Sequence, residues 1–212
     1  MSNILHDIRK QYIFSSLDET KILSDPVEQF EVWLNEVIKC KEPEPTAMVL
    51  STVDEQLQPH SRIVLLKEIT PEGFVFYTNY EGGKAKQMEV NNKVSLLFFW
   101  PKMERQVRIN GHVEKISEAI STLYFLSRPL ESRIGAWASP QSQVIRSKDF
   151  LEEQFKYYKK KFGENVPKPP FWGGYIVRPV SIEFWQGRPN RLHDRLIYTF
   201  GLGEWKISRL AP

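Results

Sequence analysis

Between Phe184 and Arg195 the chain reads Phe-Trp-Gln-Gly-Arg-Pro-Asn-Arg-Leu-His-Asp-Arg, placing three arginines, a histidine, an aspartate and a tryptophan within twelve residues. Arginine is a planar, permanently charged fork that matches phosphate and carboxylate. Histidine is the side chain most easily poised between donor and acceptor near neutral pH, and tryptophan adds a flat apolar face. Together they suit a flat, anionic, heteroaromatic ligand. The same composition also describes an ordinary solvated basic loop. Alternating segments flank the stretch, Tyr175 to Phe184 before it and Leu196 to Phe200 after it. Gly187 and Pro189 therefore mark a corner between two strands.

Three further groupings are compatible with phosphate. Arg62 and Lys67 flank the apolar run Ile63-Val64-Leu65-Leu66, and basic strand ends can present charge to a bound anion. Five residues apart, they point to opposite faces of a regular strand, so either a bulge intervenes or they serve different groups. Tyr77-Thr78-Asn79 closes a strand, and Gly82-Gly83-Lys84 opens a helix. That order makes a seat from backbone N–H groups and the helix dipole, without a full phosphate-loop fingerprint. Tyr124, Arg128 and Ser132 are spaced four and four. Pro129 opens a second helix, so the three converge at a helix junction, or else they are ordinary helix surface. Gln106 sits mid-strand and Gln141-Ser142 in a polar loop, and alone neither carries a role. Several phosphate-compatible groupings without a nucleic-acid motif favour one or two phosphorylated small ligands.

The elements that must position these residues are mostly strands. Asp25-Pro26-Val27-Glu28 starts a helix, with Asp25 as cap and Pro26 at the first position; Val27, Phe30, Trp33, Leu34, Val37 and Ile38 follow at helical spacing as a core-facing set. Strands are expected at 46–53, 59–67, 74–79, 93–100 and 104–116, the last broken at Asn110-Gly111. Further strands are expected at 172–184, 195–200 and 204–210, with a hairpin at Gly201-Leu202-Gly203. Helices are expected at 82–92, 117–127, 130–138 and 148–162. Short connections imply antiparallel pairing, and many short strands imply a barrel or sandwich. Residues 1–24 read as a mobile arm and 25–212 as a single domain.

Composition narrows the function classes. The net charge of +3 over 212 residues does not argue for nucleic acid. Cys40 is the only cysteine, which excludes an intrachain disulfide and a cysteine-based zinc site. The four histidines show no paired metal spacing, and no metal is expected. The N-terminus lacks a signal-peptide apolar region and no run is long enough to span a bilayer, so a cytoplasmic location is the expectation.

The Phe184-Trp185-Gln186-Gly187 and Arg191-Leu192-His193-Asp194-Arg195 motifs, with the chain end Trp205 to Pro212, resemble the C-terminal signature of pyridoxine/pyridoxamine 5′-phosphate oxidases. The resemblance extends from Arg9 to Pro212 through Arg62 to Lys67, Phe76 to Asn79, Ser95 to Phe98, Glu104 to Val107, Ser127-Arg128-Pro129, Ile134 to Trp137, Gln141-Ser142 and Phe171 to Gly174. It implies a β-rich α+β fold, an FMN-binding split β-barrel with surrounding helices. It implies a homodimer with FMN at the subunit interface. The implied reaction is oxidation of pyridoxamine or pyridoxine 5′-phosphate to pyridoxal 5′-phosphate, with O2 as acceptor giving H2O2. The implied FMN contacts are Arg62, Ile63, Val64, Leu65, Leu66, Lys67, Tyr77, Thr78, Lys84, Gln106, Gln141, Ser142, Trp185 and Arg195. For the substrate they are Lys67, Tyr124, Arg128, Ser132, Arg191 and His193, with Arg191 and His193 orienting the ring for catalysis. Arg9 and Tyr12 match arm residues that close over the site. A split-barrel oxidase for another aromatic substrate, or a carrier of FMN or pyridoxal phosphate, shares most of these features.

One position departs from the family pattern. Where the family usually reads Ser-Arg-Lys, this chain reads Gly82-Gly83-Lys84. The missing arginine is worth about 1.5–3 kcal/mol as a charge-assisted hydrogen bond, or roughly tenfold to over a hundredfold in FMN affinity. The Gly83 N–H or Lys86 is available to compensate.

Overall fold

The structure is a computed structural model and describes residues 11–212. Helix α1 (Pro26–Lys39) begins where the Asp25 carboxylate accepts the N–H groups of Val27 at 2.7 Å and Glu28 at 3.1 Å. Such a cap is worth about 1 kcal/mol. Strands β1 (Ala47–Val53), β2 (Pro59–Leu65), β3 (Glu68–Thr70) and β4 (Gly73–Asn79) follow, then helix α2 (Gly83–Val90). Strands β5 (Lys93–Trp100) and β6 (Arg105–Lys115) lead into helices α3 (Glu118–Ser127), α4 (Leu130–Ala138) and α5 (Lys148–Phe162). Strands β7 (Trp172–Gln186), β8 (Asp194–Gly201) and β9 (Glu204–Arg209) complete the chain.

The nine strands form one sheet in the order β2-β1-β5-β6-β7-β4-β3, with β8 paired to β7 and β9 to β8. Strand β7 is long enough to serve two partners. Its residues 172–177 pair antiparallel with β4, and its residues 181–186 pair antiparallel with β8.

The chain divides into two compact units. The terminal unit comprises the residues up to Val49, with Ser95–Gly111 and Pro179–Pro212; the central unit comprises Leu50–Val94 and His112–Arg178. The core of the terminal unit is aromatic. Phe30 meets Phe98 edge-on at 4.8 Å, and Trp33 meets Phe184 edge-on at 5.1 Å. In the central unit Phe125, Ile134, Val166 and Trp172 are buried together, with Trp137, Phe155, Tyr158 and Phe162 packed against them. Helix α5 thus covers this cluster with one aromatic face while its basic face stays outside.

The structure corrects three expectations and adds detail to a fourth. Strand β6 runs through Asn110-Gly111 without a break, and Asn110 Nδ2 donates to Ser181 Oγ at 3.3 Å. Strand β2 stops at Leu65, two residues before Lys67. The short strand β3 was not expected; its pairing with β4, Glu68 opposite Val75 through Thr70 opposite Gly73, makes it. The corner expected after β7 is present, and it contains a 3-10 turn, Pro189–Arg191, in which Asn190 and Arg191 take positive φ of 57° and 62°.

Candidate active site

The central unit holds a cavity of about 500 Å³, a size typical of small-molecule sites. Ile63, Val64, Leu65 and Lys67 line it from the end of β2, and Tyr77, Thr78 and Asn79 from the end of β4. Lys84 reaches in from α2, Tyr124 and Arg128 from the end of α3, Ser132 from α4 and Gln141 from the loop beyond.

The early stop of β2 resolves the Arg62–Lys67 question. The Lys67 N–H donates to Val75 O at 2.9 Å, so the chain has turned and strand alternation no longer applies. Lys67 lines the cavity and Arg62 does not. Arg62 instead donates to Leu50 O, Thr52 Oγ1 and Gln87 Oε1. The Leu66 side chain is buried in the core, 3% exposed.

Lys84 Nζ donates to Gln141 Oε1 at 2.6 Å and to Thr78 Oγ1 at 3.1 Å. These bonds draw the strand end, the helix start and the 139–147 loop to one point. Ser142 belongs to the same place: a Cβ at Gly83 would lie 3.7 Å from Ser142 Cβ and Oγ. Burial, and then the charge of Arg62, hold the Lys84 ammonium below its ordinary pKa.

The break at Pro129 brings Tyr124, Arg128 and Ser132 together. Helix α3 ends at Ser127, Arg128 is extended, and Pro129 caps α4. Tyr124 then stacks on Tyr77 with ring centroids 3.8 Å apart. Trp172 lies parallel to Tyr77 at 5.5 Å, and the Arg128 guanidinium sits 4.8 Å from the Trp172 ring centroid. Burial pushes the Tyr77 hydroxyl up to about 12 and raises Tyr124 as well, so both are neutral hydroxyl donors at neutral pH.

Several arginines are held in ion pairs, and among the described residues the cations around this cavity are not. Arg105, Arg108, Arg178, Arg188, Arg195 and Arg209 each pair with a carboxylate. Among the described residues no ion pair involves Arg62, Lys67, Lys84 or Arg128. Arg128 Nη1 is buried without a hydrogen-bond partner, a property shared among the described residues with Arg133 Nε and the Tyr175 hydroxyl, and of the three only Arg128 lines the cavity. Buried unpaired donors are costly, and an anionic ligand answers that cost.

The terminal unit carries the second set of candidates. Tyr12 meets Trp185 edge-on at 5.6 Å and His193 edge-on at 5.6 Å, and Trp185 lies 4.6 Å from His193. The Arg188 N–H donates to His193 Nδ1 at 3.1 Å. Burial and the nearby Arg191 charge hold the His193 imidazole below its ordinary pKa. Arg195 donates to Glu183 Oε1 at 2.8 Å and to Ala211 O at 2.8 Å, which fastens the chain end. Gln106 is half-buried on β6, on the face opposite Val107 and Ile109. Arg9 lies outside the described residues.

The backbone after Tyr12 is sewn down by charged side chains. Glu104 Oε2 accepts the N–H groups of Ile13 at 2.8 Å and Phe14 at 3.0 Å, and Asp194 Oδ2 accepts that of Leu17 at 3.0 Å. Arg188 and Arg209 donate to Ser15 O and Leu17 O.

Residues 34–162 match the family model described as pyridoxamine 5′-phosphate oxidase, and residues 172–212 match that of the pyridoxine 5′-phosphate oxidase C-terminal dimerisation region. The chain belongs to the pyridoxamine 5′-phosphate oxidase family. It is 51% identical over 209 residues to a pyridoxine/pyridoxamine 5′-phosphate oxidase of Cupriavidus necator, covering 98% of this chain and 99% of that one. It is 53% identical over 211 residues to the protein of that name from Burkholderia mallei, with 98% and 99% covered. Among solved structures, PhzG from Burkholderia lata, in complex with tetrahydrophenazine-1-carboxylic acid, superposes with a TM-score of 0.89 at 25% identity, covering 93% of this chain and 98% of that one. A pyridoxamine 5′-phosphate oxidase-related, FMN-binding protein from Nostoc punctiforme shares the fold, with a TM-score of 0.72 at 16% identity, covering 93% and 100%. The fold is thus the split barrel of this oxidase family, and the chain is an enzyme of that family.

Sequence reasoning missed Trp172, which forms a cavity wall, and Thr52 and Gln87, which hold Arg62. Trp172 had a signal, since it opens a strand beside two glycines. Thr52 and Gln87 had none, because they meet only across 35 residues of chain. Among the described residues no three His, Cys, Asp or Glu side chains are grouped to hold a metal, and no helix is long and apolar enough to cross a membrane.

Proposed function

We propose that the protein is an FMN-dependent oxidase converting pyridoxamine or pyridoxine 5′-phosphate to pyridoxal 5′-phosphate. The observation that carries this reading is the set of cavity cations with no carboxylate partner among the described residues, above all Arg128, which lines this cavity and whose Nη1 is buried and unpaired. Lys67, Arg128, Tyr124 and Ser132 form a cation-and-hydroxyl cluster suited to a substrate phosphate. Lys84, Thr78, Gln141 and Ser142 gather at the start of α2, a position suited to the phosphate of FMN. Both clusters therefore fit phosphorylated ligands. FMN, when bound, supplies the redox chemistry, with O2 as acceptor giving hydrogen peroxide. The protein supplies orientation: Arg191 and His193 direct the substrate ring, and Trp185, Gln106 and Arg195 complete the flavin contacts that the family resemblance implies. The match of residues 172–212 to a dimerisation region supports a homodimer, and the family resemblance implies FMN at its subunit interface.

A second substrate class is favoured by the likeness to PhzG, whose ligand is a tetrahydrophenazine carboxylic acid. The Arg128–Tyr124–Ser132 cluster favours the phosphorylated pyridine instead. The test is anaerobic. Protein is loaded with FMN and desalted, and pyridoxine 5′-phosphate is added while the visible flavin absorbance is followed. Bleaching that reverses in air supports the oxidase. A yellow protein that bleaches only with tetrahydrophenazine-1-carboxylic acid supports the second class, and one that bleaches with neither points to another substrate or to a carrier.

A further inference from the structure

Arg62 is fixed from two sides by neutral groups. Its Nη1 donates to Leu50 O at 3.0 Å and to Thr52 Oγ1 at 2.7 Å, while Nη2 donates to Gln87 Oε1 at 3.0 Å. Thr52 Oγ1 donates in turn to the same Gln87 oxygen at 2.6 Å, closing a ring of hydrogen bonds. Thr52 is 1% exposed. Gln87 stands on α2 three residues after Lys84, close to one helical turn. No acceptor in the ring is a carboxylate, and among the described residues no ion pair involves Arg62, so the guanidinium is held in place by neutral groups. Its charge is felt at Lys84, whose ammonium it disfavours. Two cations near the same helix start repel each other, and an anion placed there relieves both. Gly83, in the first turn, supplies no side chain to such an anion.

We propose that Gln87 and Thr52 are positioning residues for the phosphate seat at the start of α2. They hold the Arg62 guanidinium so that Arg62 and Lys84 together furnish the positive charge that residue 83 does not. The inference rests on reading the cavity as the site of a phosphorylated flavin. It requires a neutral side chain at position 87. A carboxylate there would keep the geometry of the ring and cancel its charge.

The test compares FMN with riboflavin, which lacks the phosphate. Both are titrated by fluorescence into flavin-depleted wild type, Gln87→Met and Gln87→Glu. The expected result is an FMN Kd raised by about tenfold or more in each variant, with riboflavin binding unmoved. Equal losses for both flavins would reduce Gln87 to a purely structural residue and overturn the proposal, as would unchanged FMN binding in Gln87→Met. Should that variant not fold, Thr52→Val reads the same comparison from the other side of the ring. A wild type that binds neither flavin would overturn the cofactor reading itself, a result distinct from failure of the positioning role.

Discussion

The backbone N–H of Arg188 points at Nδ1 of His193 across 3.1 Å. A backbone amide can only donate, so Nδ1 holds a lone pair, and the proton of the neutral imidazole sits on Nε2. His193 is therefore a hydrogen-bond donor at its outer nitrogen, suited to an acceptor oxygen on a ligand rather than to taking up a proton. Protonation would set one N–H against another. Burial and Arg191 act in the same direction, lowering the pKa below its ordinary 6.5. The unfolded chain thus binds this proton more tightly than the folded one. Stability linked to His193 is complete above pH 6.5 and declines as pH falls below it. Long-range nitrogen–proton NMR on histidine-labelled protein, assigned with His193→Asn, should show the Nε2–H tautomer at neutral pH. An Nδ1–H tautomer would remove His193 as an outward donor.

Arg128 should show opposite effects on function and stability. Its Nη1 is buried without a partner, and such a group costs about 1–3 kcal/mol. The contact with Trp172 returns part of that, about 0.5–2 kcal/mol. Arg128→Met keeps the apolar stem over the ring and removes the charge. The KM for pyridoxine 5′-phosphate should rise by about tenfold or more, while the thermal midpoint does not fall. A midpoint lowered in step with activity would mean that Arg128 serves packing rather than phosphate.

The two glycines at the start of α2 should respond differently to substitution. A Cβ at Gly83 meets only Ser142, at an ordinary 3.7 Å. Gly83→Arg should fold normally and tighten FMN binding by roughly tenfold or more. A Cβ at Gly82 would lie 2.6 Å from Gln141 Oε1 and 3.3 Å from Asn79 O. Gly82→Ala must displace the Gln141 amide, which accepts from Lys84 at 2.6 Å, and should weaken FMN binding. Fluorescence titration of both variants decides the point; a weaker Gly83→Arg would show that the seat is already filled.

What could be read from the sequence divides by range. Tyr124, Arg128 and Ser132 were legible because a helix spacing and one proline determine where they meet. The start of α1 was legible because its cap lies within three residues. Lys67 was half legible: its strand was visible, but the early stop at Leu65 depends on pairing with β4. The break expected at Asn110-Gly111 did not occur, since β6 lies between two neighbours in the sheet and sheet pairing outweighs local turn preference. Glu104 and Asp194 hold the 13–17 backbone across 90 and 177 residues of chain, for which no local pattern exists.

Gly187 gives the most local test of how Tyr12 is seated. The position where a Cβ would stand at Gly187 lies 2.7–2.8 Å from Tyr12 Cγ, Cβ and Cδ1, so any larger residue must push the tyrosine off. Gly187→Ala should therefore part Tyr12 from Trp185 and His193 while leaving β7 and β8 intact. The backbone of 13–17 keeps its bonds to Glu104 and Asp194, which confines the change to the ring and its neighbours. The expected outcome is a KM for pyridoxine 5′-phosphate raised severalfold, with a thermal midpoint close to wild type. Tyr12→Ala should do the same. Because the two substitutions remove one shared contact, the double variant should be no worse than either single one. Additive losses would mean that Gly187 acts through something other than Tyr12, such as its N–H bond to Glu104 O at 2.8 Å.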